Sequence, residues 1–157
     1  MEKIASFQVD HRYIGVGMYI SRIDGDIVTY DIRMVKPNGG VYLETPSMHT
    51  IEHLFATFTR NTEHKDKIVY VGPMGCRTGF YLLVRDMTHE DAIKLVGDSF
   101  GFIASYEGEI PGSTEIECGN YKEHNLEQAR EDVKNLLRKI KDYKAEMLEY
   151  SWHNKQV

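Results

Sequence analysis

The chain has 157 residues, 41% of them hydrophobic and 27% charged, which suits one domain able to bury about 68–70% of its unfolded surface and excludes an eight-fold β/α barrel of ~250 residues. A formal net charge of −5, from 24 acids against 19 Lys and Arg, argues against binding a nucleic-acid backbone. No run of ~18 apolar residues could span a membrane, and a start with Glu2 and no apolar stretch does not resemble an export signal. These features predict a single domain over residues 1–157, in the cytoplasm, acting on a small molecule or pairing with a second copy of itself.

Ile14 to Arg22 and Ile27 to Val35 flank Asp24-Gly25-Asp26 and predict a hairpin, with Gly supplying the turn dihedrals. In its second strand Val28, Tyr30, Ile32 and Met34 share one face, and Thr29, Asp31 and Arg33 the other. Thr45 as cap and Pro46 at the first helical position predict a helix to about Arg60, with Met48, Ile51, Phe55 and Phe58 as its apolar stripe. Glu63 to Lys67 reads as a solvated loop. Two short apolar strands, Ile68 to Val71 and Phe80 to Val84, bracket the Gly-rich run from Gly72 to Gly79. Thr88 caps a second helix, with Asp91 in the reciprocal position and Ile93, Val96, Phe100 and Ile103 inward. A loop over 107–124 precedes a last helix from about Asn125 to Met147, buried through Leu126, Ala129, Val133, Leu137, Ile140 and the Lys144 stem. Strands dominate the first half, so the expected class is α+β, with helices packed against an antiparallel sheet.

The strongest chemical signal lies inside the first long helix, His49-Thr50-Ile51-Glu52-His53. At 100° per residue His49 and His53 project from one face, one turn apart, and can share a divalent ion. Glu52 reaches the same side, and the small Ala56 leaves room there. The bland alternative is two exposed histidines on an amphipathic helix. Two cysteines without an export signal favour reduced thiols that bind metal or react. Cys118, before Gly119 in the long loop, can bend back to complete a His, His, Cys set with an open fourth position. Cys76 sits in the Gly-flanked loop, where a nearby cation would favour its thiolate and let it carry protons. Alternatively it is a small buried residue at a strand end. A His-x-x-Glu-His string also occurs in inverzincin metallopeptidases. A third reading is a non-catalytic domain whose metal supports folding, with Cys76 as the fourth ligand.

The ordered motifs His49 to Phe55, Pro73-Met74-Gly75-Cys76-Arg77-Thr78-Gly79 and Cys118-Gly119 resemble the S-ribosylhomocysteine lyase (LuxS) family. Ser6-Phe7 with Asp10-His11, and Asp31-Ile32-Arg33 with Pro37-Asn38, match two further motifs of that family. The resemblance implies a homodimeric α+β enzyme with one divalent metal per subunit, iron(II) first and zinc or cobalt as substitutes. It implies His49, His53 and Cys118 as metal ligands and Glu52 and Cys76 as the acid/base pair. Ser6, His11 and Arg33 would contact substrate, Ser6 and His11 from the neighbouring subunit. The implied reaction cleaves S-ribosylhomocysteine to L-homocysteine and 4,5-dihydroxy-2,3-pentanedione, precursor of the quorum signal autoinducer-2. Two departures stand out. The segment after His11 is shorter than usual, and Tyr70 stands where the family usually carries an acid six residues before the loop Cys.

Overall fold

The structure, a computed structural model, describes residue 2 and residues 4–150, with the backbone alone at residues 5 and 6. A single turn, α1 (Ala5–Gln8), leads into strands β1 (Gly17–Asp24) and β2 (Ile27–Arg33). Helix α2 (Thr45–Thr59), strands β3 (Ile68–Pro73) and β4 (Gly79–Arg85), and helices α3 (His89–Ser105) and α4 (Leu126–Ile140) follow. The four strands form one antiparallel sheet in the order β1-β2-β4-β3. The expected hairpin is present: Asp24 pairs with Ile27, and Gly25 turns the chain at φ 63°.

Alternation along β2 divides the sheet. Tyr30 and Ile32 join Met18, Phe80, Leu82 and Val84 under the helices, all fully buried. Helix α2 adds Ile51, Leu54 and Phe55, whose ring meets Phe100 edge-on at 5.2 Å, and α3 adds Val96 and Ile103. Each such side chain removed from water contributes about 1.5–3 kcal/mol, so this apolar layer fixes α2 against the sheet. On the other face of β2, Thr29, Asp31 and Arg33 are also buried, under a layer of tyrosines and the chain's return across β1.

Of the boundaries that differ from the sequence reading, two have a clear physical cause. Glu44, not Thr45, caps α2: its backbone is extended and its carbonyl accepts the Met48 N–H at 2.9 Å, so Pro46 falls one place later. Helix α4 stops at Ile140 rather than Met147. The stripe through Ile140 and Lys144 continues at helical spacing, but a tertiary anchor prevails. Tyr143 turns off so that its hydroxyl accepts from Met18 N–H (3.2 Å) and donates to Met18 C=O (2.9 Å) on the free edge of β1. A short 3₁₀ turn, Ala145–Leu148, then buries Leu148 completely. Thr88 caps α3 as expected, its hydroxyl accepting from Asp91 N–H at 3.1 Å.

Candidate active site

Helix α2 presents His49, Glu52, His53 and Ala56 on its half-buried side while the apolar stripe faces the sheet. A carbonyl can only accept, so the bonds to Glu123 O (2.8 Å) and Pro111 O (2.7 Å) fix Nδ1 of His49 and His53 as donors. Each ring therefore offers its Nε2 lone pair, the orientation a metal ligand needs. The long loop delivers Cys118, whose Sγ lies 3.3 Å from His49 Nε2. Gly112, at φ 70°, lets the same loop lie against His53; a Cβ there would sit 3.3 Å from its Nδ1.

The loop also delivers His124, which sequence reasoning missed. Its ring stacks on His49 at 4.1 Å and meets His53 at 4.9 Å. Burial first, then the two neighbouring imidazoles, lowers its pKa to about 4. Thr50 spends its one hydroxyl hydrogen on Pro46 O, so toward His124 Nδ1 (3.2 Å) it accepts, and His124 Nδ1 carries the proton. The remaining lone pair, on Nε2, is buried without a hydrogen-bond partner. One donor atom from each of His49, His53, Cys118 and His124 lies within 4.8 Å of the others. Imidazole lone pairs and a thiol facing one point, one of them orphaned, are costly unless a cation sits there. Nitrogen and sulfur donors of this kind suit zinc or a neighbouring transition metal, so the residues fit a divalent metal.

Cys76 lies in the β3–β4 loop and is exposed, which removes the buried-residue alternative. Arg77, at φ 59°, bends the loop, and Met74 N–H to Gly79 O closes it at 2.9 Å. Arg33, buried on β2, donates from Nη1 to Thr78 Oγ1 (2.6 Å) and approaches Cys76 Sγ at 3.6 Å. Thr78 Oγ1 lies 3.1 Å from Sγ with its own hydrogen free to donate. The other side of the guanidinium forks over Asp31, Nε 2.6 Å from Oδ1 and Nη2 2.8 Å from Oδ2. Arg33 thus meets Cys76 directly.

Glu52, one residue before His53, keeps its carboxylate free of hydrogen-bond and ion-pair partners among the described residues. His11 is half-buried in the segment before β1, Nδ1 on Val9 O at 2.9 Å. Beside it Arg12 forks onto Asp10 and holds that carboxyl down at about 2. Ser6 belongs to α1 by its backbone, and its side chain lies outside the described residues. Tyr70 is exposed, its ring folded back over Gly72.

The family model for S-ribosylhomocysteinase (LuxS) matches residues 4–147. A Porphyromonas gingivalis protein described as S-ribosylhomocysteine lyase is 47% identical over 152 residues, covering 93% of this chain and 96% of its own. A Clostridium acetobutylicum protein of the same description is 50% identical over 135 residues, 82% of this chain and 85% of its own. One from Borreliella burgdorferi is 44% identical over 156 residues, 96% and 99% respectively.

Proposed function

The chain belongs to the S-ribosylhomocysteinase (LuxS) family and is an S-ribosylhomocysteine lyase, a carbon–sulfur lyase, and on that premise we propose how its residues divide the work. His49, His53 and Cys118 hold one divalent metal, iron(II) in the cell. The observation that carries this is the convergence of their donor atoms, each histidine locked in its Nε2-presenting tautomer by a backbone carbonyl. A metal there supplies a Lewis acid that stabilises negative charge as the sugar carbonyl migrates.

The protons are the protein's task. Before the carbon–sulfur bond can break by β-elimination, the carbonyl must move along the ribose chain toward it. Each move takes a proton from a carbon beside the carbonyl and returns one to the neighbouring carbon. Glu52, unpaired among the described residues and adjacent to a ligand histidine, acts as one proton carrier. Cys76 acts as the other, its sulfur 3.6 Å from Arg33 Nη1 and 3.1 Å from the Thr78 hydroxyl oxygen. Elimination then releases L-homocysteine and leaves 4,5-dihydroxy-2,3-pentanedione, the autoinducer-2 precursor. Supplying S-ribosylhomocysteine and titrating free thiol tests this: one thiol per substrate is expected, and none from metal-loaded protein would overturn it.

The working unit is a homodimer, each site completed by Ser6 and His11 of the neighbouring subunit. Support comes from apolar surface. Ile4 and Phe7 are 57% and 71% exposed, and Ile4, Tyr70, Tyr81 and Leu83 border one apolar depression on the outer sheet face. A second subunit would cover such a patch. Arg33, with a side chain only 3% exposed and both ends occupied, acts on Cys76, and its substrate-binding role runs through that thiol. Mixing inactive His11→Ala with inactive Glu52→Gln protein, after dissociation and reassociation, should restore dimers with one intact site. Continued inactivity despite proven exchange would mean that each site is built within one chain.

A further inference from the structure

We propose that Tyr150 is a positioning residue for the Cys76 thiol, acting through Asp31 and Arg33; this rests on the proton-carrying role given to Cys76 above. After Tyr143 grips the edge of β1, the chain passes around that edge and lays Tyr150 on the outer sheet face. There the ring stacks on Tyr19 at 4.9 Å and 13°, and the hydroxyl donates to Asp31 Oδ2 at 3.0 Å. Tyr150 is only 4% exposed. Burial first, then the Asp31 charge, raises its pKa, so it remains a donor at any working pH.

The electrostatics follow from sharing. Arg33 is one buried cation between two claimants, the Asp31 carboxylate at 2.6–2.8 Å and the Cys76 sulfur at 3.6 Å. Because the Arg33–Asp31 pair itself is buried, what one claimant takes the other loses. A hydroxyl donated to Asp31 satisfies part of that carboxylate's demand and leaves more of the Arg33 field for the thiolate. Tyr19 from β1 and Tyr81 from β4 face the same cluster, and burial raises the pKa of both, so neither adds a competing charge. The return of the chain across β1 therefore belongs to the catalytic apparatus although it touches none of the metal ligands named above.

The primary readout needs no substrate. Metal-loaded protein is alkylated with iodoacetamide at pH 7, and the Cys76 rate is followed by mass spectrometry of its peptide, with kcat and KM measured alongside. Tyr150→Phe should slow Cys76 alkylation roughly three- to tenfold, since a tenfold change in thiolate population corresponds to one pKa unit, and lower kcat more than KM. Asp31→Asn, which removes the competing charge, should change the alkylation rate in the opposite direction. An unchanged Cys76 rate in folded, metal-loaded Tyr150→Phe protein overturns the proposal, as do two variants that slow together. Should Tyr150→Phe fail to fold, Asp31→Asn decides alone: faster alkylation supports the proposal, and unchanged or slower alkylation overturns it. Thiol release by the unaltered protein tests the lyase reading separately, so the two can fail independently.

Discussion

Removing Glu52 or Cys76 should have a different signature from removing a ligand. Glu52→Gln and Cys76→Ala each delete a proposed proton carrier and should lower turnover by about 10²–10⁴-fold with metal content intact. Cys118→Ala should lose metal and activity together, as read by elemental analysis beside the thiol assay; full metal in that variant would remove Cys118 from the ligand set. Thr50→Val is a quieter test. The Thr50 hydroxyl accepts from Asn125 N–H (2.9 Å) and from His124, and orphaning those donors should cost about 1–3 kcal/mol in urea titration. His49, Glu52 and His53 were legible because helical spacing places them on one face. His124 was not: it lies in a loop without periodicity, and its place comes from a hydroxyl on a helix 74 residues away. The contact of Arg33 with Cys76 was not legible either, because it depends on strand register. Register is a pairing property that one strand's sequence does not carry.

Strands β2 and β4 approach closely at Gly79, three residues after Cys76. Gly79 lies opposite Arg33, and a Cβ on it would collide with the Ile32 carbonyl. Gly79→Ala should therefore push the strands apart beside Cys76, costing about 1–3 kcal/mol or more and most of the activity. A Gly79→Ala protein with unaltered stability would show that the sheet yields more easily than the packing implies. At the start of α4 the Asn125 side chain accepts from Gln128 N–H at 3.0 Å, so Asn125→Ala should cost about 0.5–2 kcal/mol. Local signals of this kind made most elements readable: the Gly25 turn, the Thr88 cap, the alternation in β2. The end of α4 escaped because Ile140 and Lys144 are helically spaced, and only the distant partner of Tyr143 shows why the helix stops.

Across the molecule, buried tyrosines set an alkaline limit. Burial raises Tyr30 and Tyr143 to about 12, and pushes Tyr19, Tyr81 and Tyr150 upward as well. In the unfolded chain each phenol ionises near 10. Between pH 10 and about 12 the unfolded state therefore holds fewer protons than the folded one, and stability falls as pH rises. Their contribution is complete below pH 10. Urea midpoints should hold steady to about pH 10 and then drop, less steeply in Tyr143→Phe; a flat profile to pH 12 would contradict the buried-phenol account. The Tyr143 contact also has a consequence in time. β1 is an edge strand, and the hydroxyl that occupies the outward N–H and C=O of its Met18 comes from 125 residues further along. At ~5–20 residues per second the ribosome takes roughly 6–25 s to make the intervening chain. Throughout that interval the nascent protein presents an open strand to neighbouring nascent chains on the same messenger. Released chains ending just before residue 143 should bind holding chaperones that chains extending past 150 do not, and equal chaperone occupancy at both lengths would show that the strand is protected by other means.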